Sequence, residues 1–169
     1  MINKLNYYLI TLFIFGNLIN KYRGTWASLF TTLFLFFLIH VLKIDIIIIS
    51  LIILIIFFYS FYAIKSCLNY FKNEDPQEIV IDEFIGQSIP ICLYEIFHST
   101  RTNSFDQTLQ IYFWFFLIFR LFDGLKPFPI DYIDKKFKNT FGILFDDILA
   151  GIYVVACLIL FMVGKTLFF

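Results

Sequence analysis

Residues 46–64, IIIISLIILIIFFYSFYAI, form nineteen consecutive positions without a charged side chain. A helix that rises 1.5 Å per residue over this length crosses nearly all of the roughly 30 Å of hydrocarbon in a bilayer. Residues 24–42 form a second uncharged run of nineteen, and Lys43 and Asp45 lie in the short connection between the runs. The two runs therefore predict a helical hairpin in a membrane.

The rest of the chain continues this pattern with less regularity. Residues 5–20 make an apolar stretch of sixteen, for which three courses are open: it spans, re-enters or lies along the interface. Three later segments are apolar enough to be embedded, and they are residues 84–97, 107–122 and 148–164. The first of them contains Pro90, which should kink its helix. We therefore expect an all-α, polytopic membrane helical bundle with about five to six membrane-embedded helices.

The composition excludes several classes of function. With 60% hydrophobic residues, 15% charged residues and a mean hydropathy of +0.84, the chain is no water-soluble globule. Its 13 Lys and Arg are balanced by 13 Asp and Glu, so it lacks the basic surplus that nucleic-acid binding needs. Three cysteines, Cys67, Cys92 and Cys157, have no paired spacing, which predicts neither disulfides nor a CxxC site. The expected partners are membrane lipids, and no protein partner is indicated.

The distribution of basic residues predicts the orientation of the bundle, because short cytoplasmic loops retain Lys and Arg. With Arg23 inside and alternating spans, nine of the 13 basic residues fall on the cytoplasmic side: Lys21, Arg23, Lys65, Lys72, Arg120, Lys126, Lys135, Lys136 and Lys138. The same alternation brings five acids to cytoplasmic helix ends: Asp82, Glu83, Asp123, Asp146 and Asp147. We therefore expect the chemistry at one membrane face.

Two segments share a pattern of adjacent acids in apolar sequence: IVIDEFIG, residues 79–86, and ILFDDILAG, residues 143–151. Ionisable residues in such surroundings are costly, so they indicate function. One alternative is that Asp82 and Asp146 are helix N-caps, with the following acid complementing the helix dipole. However, a cap needs only one acid.

A cation site explains both pairs better than capping does. If Gly86 and Gly151 let the two helices approach closely, four carboxylates crowd together: Asp82, Glu83, Asp146 and Asp147. Two such charges 4 Å apart repel by about 4 kcal/mol at an effective dielectric near 20. A hard cation with oxygen ligands, Mg²⁺ above all, offsets this repulsion and supplies waters that can be activated.

The third acidic element is FRLFDGLKPFPIDYID, residues 119–134. Arg120 and Lys126 supply a forked donor and a mobile point charge, which suit either phosphate binding or membrane anchoring. Asp131 and Asp134 are predicted to be solvated surface acids. His40 and His98 each occur alone in apolar sequence, which favours packing roles over a histidine-based phosphatase mechanism. Metal-activated water, or less favourably an aspartate nucleophile, remains.

Three blocks together resemble the signature blocks of the phosphatidylglycerophosphatase A family: IVIDEFIGQ at 79–87, FRLFDGLKPFPI at 119–130 and GILFDDILAG at 142–151. The resemblance implies one integral-membrane phosphatase domain over residues 1–169. It also implies a Mg²⁺-dependent enzyme of the bacterial cytoplasmic membrane that converts phosphatidylglycerophosphate to phosphatidylglycerol in phospholipid synthesis. Five residues fall on the family's shared acidic positions, Asp82, Glu83, Asp123, Asp146 and Asp147, and two on its basic ones, Arg120 and Lys126.

The resemblance loosens near the amino end of the chain. The family commonly shows Pro-Gly-Thr followed by Gly-Ser, whereas this chain has Arg23, Gly24 and Thr25, then Ala27 and Ser28. Glycine and threonine are present, but the proline and the second glycine are not. Arg23 and Thr25 are therefore secondary candidates for phosphate binding.

The resulting hypothesis has the lipid's phosphomonoester at the cytoplasmic interface. Four acids hold Mg²⁺ and also belong to the catalytic set, namely Asp82, Glu83, Asp146 and Asp147. Asp123 either completes the metal shell or orients the attacking water, while Arg120 and Lys126 neutralise the phosphoryl oxygens. Three alternatives remain: a phosphatase of another lipid phosphate, a divalent-cation transporter or channel, and an inert membrane scaffold.

Overall fold

The computed structural model describes residues 4–13, 15–18, 22–71, 76–98 and 104–168. Throughout these residues the regular structure is helical, which confirms the all-α prediction. The helices in chain order are α1 (Lys4–Ile10), α2 (Phe15–Leu18), α3 (Arg23–Phe36), α4 (Ile46–Cys67), α5 (Ile81–Phe97), α6 (Phe105–Leu125), α7 (Ile130–Lys136) and α8 (Thr140–Phe168). A π-helical turn, Phe37–Val41, extends α3, and a 3₁₀ turn, Leu68–Tyr70, extends α4.

Four helices are long and apolar enough to cross a membrane: Arg23–Val41, Ile46–Tyr70, Phe105–Leu125 and Thr140–Thr166. The exterior of α4 shows why these helices need lipid. Ile47, Leu51, Ile55 and Phe58 each expose more than half of their surface. Such a continuous apolar surface is stable in hydrocarbon and unfavourable in water. The prediction of a polytopic membrane bundle is thereby confirmed.

The predicted hairpin of α3 and α4 is present. Its connection is short, and Lys43 adopts a left-handed conformation with φ of 55°. Asp45 then caps α4, because its side chain accepts a hydrogen bond of 2.7 Å from the backbone N–H of Ile47. The charged residues that interrupt the two apolar runs therefore form the turn between the helices.

Helix α5 is the central element of the bundle. It packs against α3, α4, α6 and α8, and most of its residues are buried, Pro90 among them. Two hydrophobic clusters surround it. One contains Ile91 together with Tyr112 and Val154, and the other contains Ile85 together with Leu144. The four spanning helices and α5 make five embedded helices, in agreement with the predicted number.

The apolar stretch at residues 5–20 does not form one spanning helix in its described part. Leu12 and Phe13 have positive φ and separate α1 from α2. The side-chain amide of Asn6 donates a 2.7 Å hydrogen bond to Ser66 Oγ near the carboxyl end of α4. The N–H of Val80 donates to the carbonyl of Ile10 at 2.9 Å. This segment thus folds back against one end of the bundle.

Two glycines allow α5 and α8 to approach closely, as the sequence predicted. A Cβ added at Gly86 would lie 2.6 Å from the carbonyl oxygen of Asp147, a distance that real Cβ atoms do not show. A Cβ added at Gly151 would overlap the carbonyl oxygen of Gly86. The contact is between backbones, so neither helix can yield by turning a side chain away. The glycines at this crossing therefore allow the contact that brings the two acid pairs to the same depth in the bundle.

This contact predicts that Gly151→Ala destabilises the protein by about 1 to 3 kcal/mol, because the methyl group forces α8 away from α5. The matched control is Gly164→Ala in the same helix, where an added Cβ meets nothing within 4 Å. That control should be neutral or stabilising, since alanine favours a helix over glycine by about 1 kcal/mol. Thermal unfolding in detergent, followed by circular dichroism, measures both. Equal melting temperatures for the two variants would contradict the close crossing.

Candidate active site

The alternating directions of the helices bring all five predicted acids to the same end of the bundle. Asp82 and Glu83 lie in the first turn of α5, and Asp123 lies in the last turn of α6. Asp146 and Asp147 lie in the second turn of α8. Residues that are up to 65 positions apart in sequence are therefore neighbours in the fold.

Neither acid pair caps a helix. Val80 occupies the N-cap of α5, and no side chain caps that end. Helix α8 begins at Thr140, and Asn139 Oδ1 accepts hydrogen bonds from the N–H groups of Phe141 and Gly142 at 3.0 and 3.2 Å. Asp146 lies beyond that first turn, so its carboxylate is not needed for capping. The N-cap role is therefore excluded for Asp82 and Asp146, although Asp82 and Glu83 do lie in the first turn of α5, where acids complement the helix dipole.

Three of the acids form a compact cluster. Asp82, Glu83 and Asp147 each place one carboxylate oxygen so that all three atoms lie within 4.8 Å of one another. Asp147 is only 4% exposed. Glu83 Oε2 is buried and has no hydrogen-bond partner among the described residues. Gly24 of α3 leaves room for this group, since an added Cβ there would overlap Glu83 Oε1.

The cluster is electrostatically unbalanced. Within the described part of the chain, no ion pair involves any of its three carboxylates. Burial, and then the charge of Glu83, raise the pKa of Asp82 well above its usual value. Burial likewise raises the pKa of Glu83. A bound cation would favour the ionised form of these carboxylates by offsetting their repulsion. Three hard oxygen donors and an unpartnered buried oxygen suit a hard divalent ion such as Mg²⁺.

The other two acids are paired with basic side chains. Asp123 Oδ2 lies 2.7 Å from Arg120 Nη1, which also donates to Ser28 Oγ at 3.4 Å. Asp146 Oδ2 accepts a 2.9 Å hydrogen bond from Lys126 Nζ. Asp146, predicted as a fourth metal ligand, lies outside the three-carboxylate cluster and contacts Lys126, and its role as a ligand stays a prediction.

Lys126 links α6, α7 and α8 at the site. It follows α6 directly in a left-handed conformation, with φ of 43°, and its Nζ lies 3.2 Å from Asp134 Oδ1. Burial alone would lower the pKa of Lys126, but the charges of Asp146 and Asp134 outweigh it and raise the pKa. The ammonium group is therefore permanently charged at neutral pH. Asp134, predicted as a solvated surface acid, is partly exposed and pairs with Lys126, and Asp131 is the exposed partner of Lys135, as expected.

A cavity of about 270 Å³ opens over these groups. Seven of the nine predicted site residues line it: Arg23, Asp82, Glu83, Asp123, Lys126, Asp146 and Asp147. Arg120 does not line the cavity and reaches it only through Asp123, and Thr25 does not line it either. Tyr22 and Gln77 line the cavity although the sequence analysis did not select them. Neither lies in a block with a chemical pattern, so no local signal marks them.

Arg23 has a partner that the sequence analysis also missed. Its Nη1 lies 3.2 Å from Glu78 Oε1, just ahead of α5. The pair ties the start of α3 to the segment that leads into the acid cluster. A salt bridge between residues so far apart in sequence leaves no local pattern.

His40, which occurs alone in apolar sequence, has polar partners on other helices of the bundle. Its Nε2 lies 3.2 Å from Glu95 Oε1, and the hydroxyl of Tyr112 donates to the same carboxylate oxygen at 2.8 Å. These groups belong to the half of the bundle away from the acid cavity, and no histidine is among the described residues that line that cavity. His98 stacks on the ring of Tyr94 at 4.7 Å, which fits its predicted packing role.

The fold and the site together define a polytopic α-helical membrane protein with an acid-rich cavity at one end of its helices. The sequence model of the phosphatidylglycerophosphatase A family matches residues 8–162. Phosphatidylglycerophosphatase A of Haemophilus influenzae is 34% identical over 142 residues, which cover 83% of this chain and 80% of the relative. The chain belongs to the phosphatidylglycerophosphatase A family and is a phosphatase, as the three blocks predicted.

Two further relatives match shorter regions. Phosphatidylglycerophosphatase A of Escherichia coli K12 is 36% identical over 90 residues, 53% of this chain and 45% of the relative. A Bacteroides thetaiotaomicron protein provisionally named phosphatidylinositol-3-phosphatase is 33% identical over 84 residues, 47% of this chain and 45% of that protein. No solved structure gives a significant match. Because the family is one of phosphatases, the chain is an enzyme, and the alternatives of a transporter and an inert scaffold are set aside.

The ion pair of Arg120 and Asp123 is half-buried, so Arg120→Gln should destabilise the protein. The change leaves Asp123 without its charged partner, and we expect a loss of about 1 to 3 kcal/mol in the free energy of unfolding. The control is Lys135→Gln, whose pair with Asp131 is exposed and should contribute within about 0.5 kcal/mol. Melting temperatures in detergent compare the two. A larger loss for Lys135→Gln would contradict the assignment.

Proposed function

We propose that this protein hydrolyses the phosphomonoester of phosphatidylglycerophosphate and releases phosphatidylglycerol and inorganic phosphate, with Mg²⁺ as its cofactor. The observation that carries the proposal is the cluster of Asp82, Glu83 and Asp147, whose oxygens lie within 4.8 Å beneath a cavity that also contains Lys126. The names of the Haemophilus influenzae and Escherichia coli relatives support this substrate.

The three clustered carboxylates would hold the metal ion. Glu83 Oε2, which has no hydrogen-bond partner among the described residues, supports this assignment. When bound, Mg²⁺ supplies charge neutralisation at the phosphoryl oxygens and lowers the pKa of a coordinated water. Asp123 and Asp146 are less suited to direct ligation in the arrangement described above, because each is paired with a basic side chain.

The remaining cavity residues bind and orient the substrate. Lys126 and Arg23 line the cavity and donate to the phosphoryl oxygens, and the raised pKa of Lys126 keeps its charge in place. Asp146 holds the ammonium group of Lys126 toward the cavity. Arg120 fixes Asp123, whose free carboxylate oxygen accepts a hydrogen bond from the attacking water. The oxygen of the water bonds to phosphorus as the bond to the glycerol oxygen breaks in line, and one proton of that water ends on the glycerol oxygen, which leaves as the alcohol.

We place this site at the cytoplasmic face of the bacterial inner membrane. Basic residues at the site end of the described helices include Lys65, Lys126, Lys135, Lys136 and Lys138, together with Arg23 and Arg120. Lys43 and Lys165 lie at the opposite end. This asymmetry matches the retention of positive charge in the cytoplasm. Lys21, Lys72 and Arg101, which entered the sequence-based count, lie outside the described residues.

A second candidate function is hydrolysis of another lipid phosphate. The relative from Bacteroides thetaiotaomicron, named for a phosphoinositide, favours this alternative. The acid cluster and Lys126 recognise a phosphomonoester, which both headgroups share. Selectivity then depends on cavity-lining residues such as Tyr22 and Gln77 rather than on the clustered acids.

Purified protein in detergent should release phosphate from phosphatidylglycerophosphate in the presence of Mg²⁺. This release should stop when a chelator removes the ion. Asp147→Asn should lower this activity roughly 100-fold, because a ligand in the cluster is lost. Asp131→Asn is the matched control, since Asp131 is exposed and paired with Lys135, and its activity should be unchanged. A folded Asp147→Asn protein with full activity, or full activity without divalent ions, would overturn the metal assignment.

Competition between substrates tests the headgroup. The enzyme should have a kcat/KM for phosphatidylglycerophosphate about 10-fold or more above that for phosphatidic acid or phosphatidylinositol 3-phosphate, because lost polar contacts to the headgroup cost about 1.4 kcal/mol or more. Phosphate release from mixtures of these lipids in one micelle type measures the ratio. A preference for the phosphoinositide would favour the second candidate instead.

A further inference from the structure

We propose that one acyl chain of the lipid substrate lies in an apolar groove between α4, α5 and α8. The inference rests on the proposed function, because it assumes a lipid phosphate. The groove has a volume of about 410 Å³. Its walls include Leu54 and Phe57 of α4, Ile85 and Ile89 of α5, and Phe145 of α8.

The groove begins close to the acid cluster. Its wall on α5 follows one helical stripe, from Ile85 through Ile89 to Ile96. Three residues before Ile85, on the same face of the helix, lies Asp82, a member of the carboxylate cluster. On α8, Ile148 lines the groove and directly follows Asp147. A lipid whose phosphate occupies the cavity therefore has its hydrocarbon beside the entrance of the groove.

The length of the groove matches one leaflet. From Ile85 to Ile96 the helix rises about 16 Å, at 1.5 Å for each of eleven residues. Half of the hydrocarbon thickness of a bilayer is about 15 Å. An acyl chain that starts from a headgroup at the site end of the bundle covers this distance. The groove thus ends where the chain of that leaflet ends.

The lining of the groove suits a hydrocarbon chain. Its walls are almost wholly apolar, as a hydrocarbon occupant requires.

The groove makes the acyl chain a determinant of substrate affinity. Helices α4 and α5 run in opposite directions, since Ile64 and Cys67 near the end of α4 pack with Ile81 at the start of α5. Leu54 consequently lies between Phe57, which is nearer the acids, and Ser50, which is farther from them. A bulky side chain at this position should block a long acyl chain and leave the phosphate cavity free.

The test compares Leu54→Trp with Ile55→Trp, the next residue of α4, which lies at the same depth, faces outward and does not line the groove. With long-chain phosphatidylglycerophosphate, Leu54→Trp should raise KM roughly 10-fold, the effect of about two unburied methylene groups. A short-chain analogue, whose chains do not pass Ile89, should keep its KM. Ile55→Trp should leave both values unchanged.

Photolabelling provides a readout that does not depend on turnover. A long-chain lipid phosphate with a diazirine near the end of its acyl chain should label residues of the groove, and Leu54→Trp should abolish this labelling. Labelling in the groove without phosphate release would contradict the proposed function but would still support the assignment of the groove to an acyl chain. Labelling spread evenly over all lipid-facing helices, an unchanged KM for Leu54→Trp, or a change in its oligomeric mass would overturn the acyl-chain assignment.

Discussion

The backbone contact between α5 and α8 at Gly86 and Gly151 is the constraint on which the site depends. It brings two helices, each with a pair of adjacent acids, so close that Asp82, Glu83 and Asp147 share one small volume. Like charges at such distances repel by several kcal/mol even at an intermediate dielectric. The structure tolerates this arrangement because α5 is enclosed by four neighbouring helices whose packing holds the crossing in place.

The five acids divide into two groups with different electrostatic partners. Asp123 and Asp146 are each neutralised by a basic side chain, Arg120 and Lys126. The three clustered carboxylates have no such partner in the part of the chain described here, and a metal ion is the partner that their chemistry suits. The paired acids hold the basic groups beside the cavity. One cavity thus combines clustered carboxylates with basic side chains, as the proposed phosphatase reaction requires.

The bundle also relates the site to the lipid around it. The cavity opens at one end of the helices, and the lining of the apolar groove on α5 begins at Ile85, about one helical turn from Asp82. Polar chemistry and apolar binding are therefore arranged along one helix, with Asp82 at its start and Ile96 near its end. A lipid phosphate needs both environments at once.

The amino-acid sequence by itself determined the membrane class, the hairpin of α3 and α4, and the convergence of five acids at one end. Run length, charge and alternation are local properties that can be counted, and the glycines at 86 and 151 marked the close crossing. Only the tertiary structure decided that Asp146 pairs with Lys126, that Asp134 joins that pair, and that His40 contacts Glu95. It also decided that the stretch at residues 5–20 breaks at Leu12 and Phe13. These outcomes depend on which side chains meet across different helices, and hydrophobic periodicity defines the faces of a helix without defining their partners.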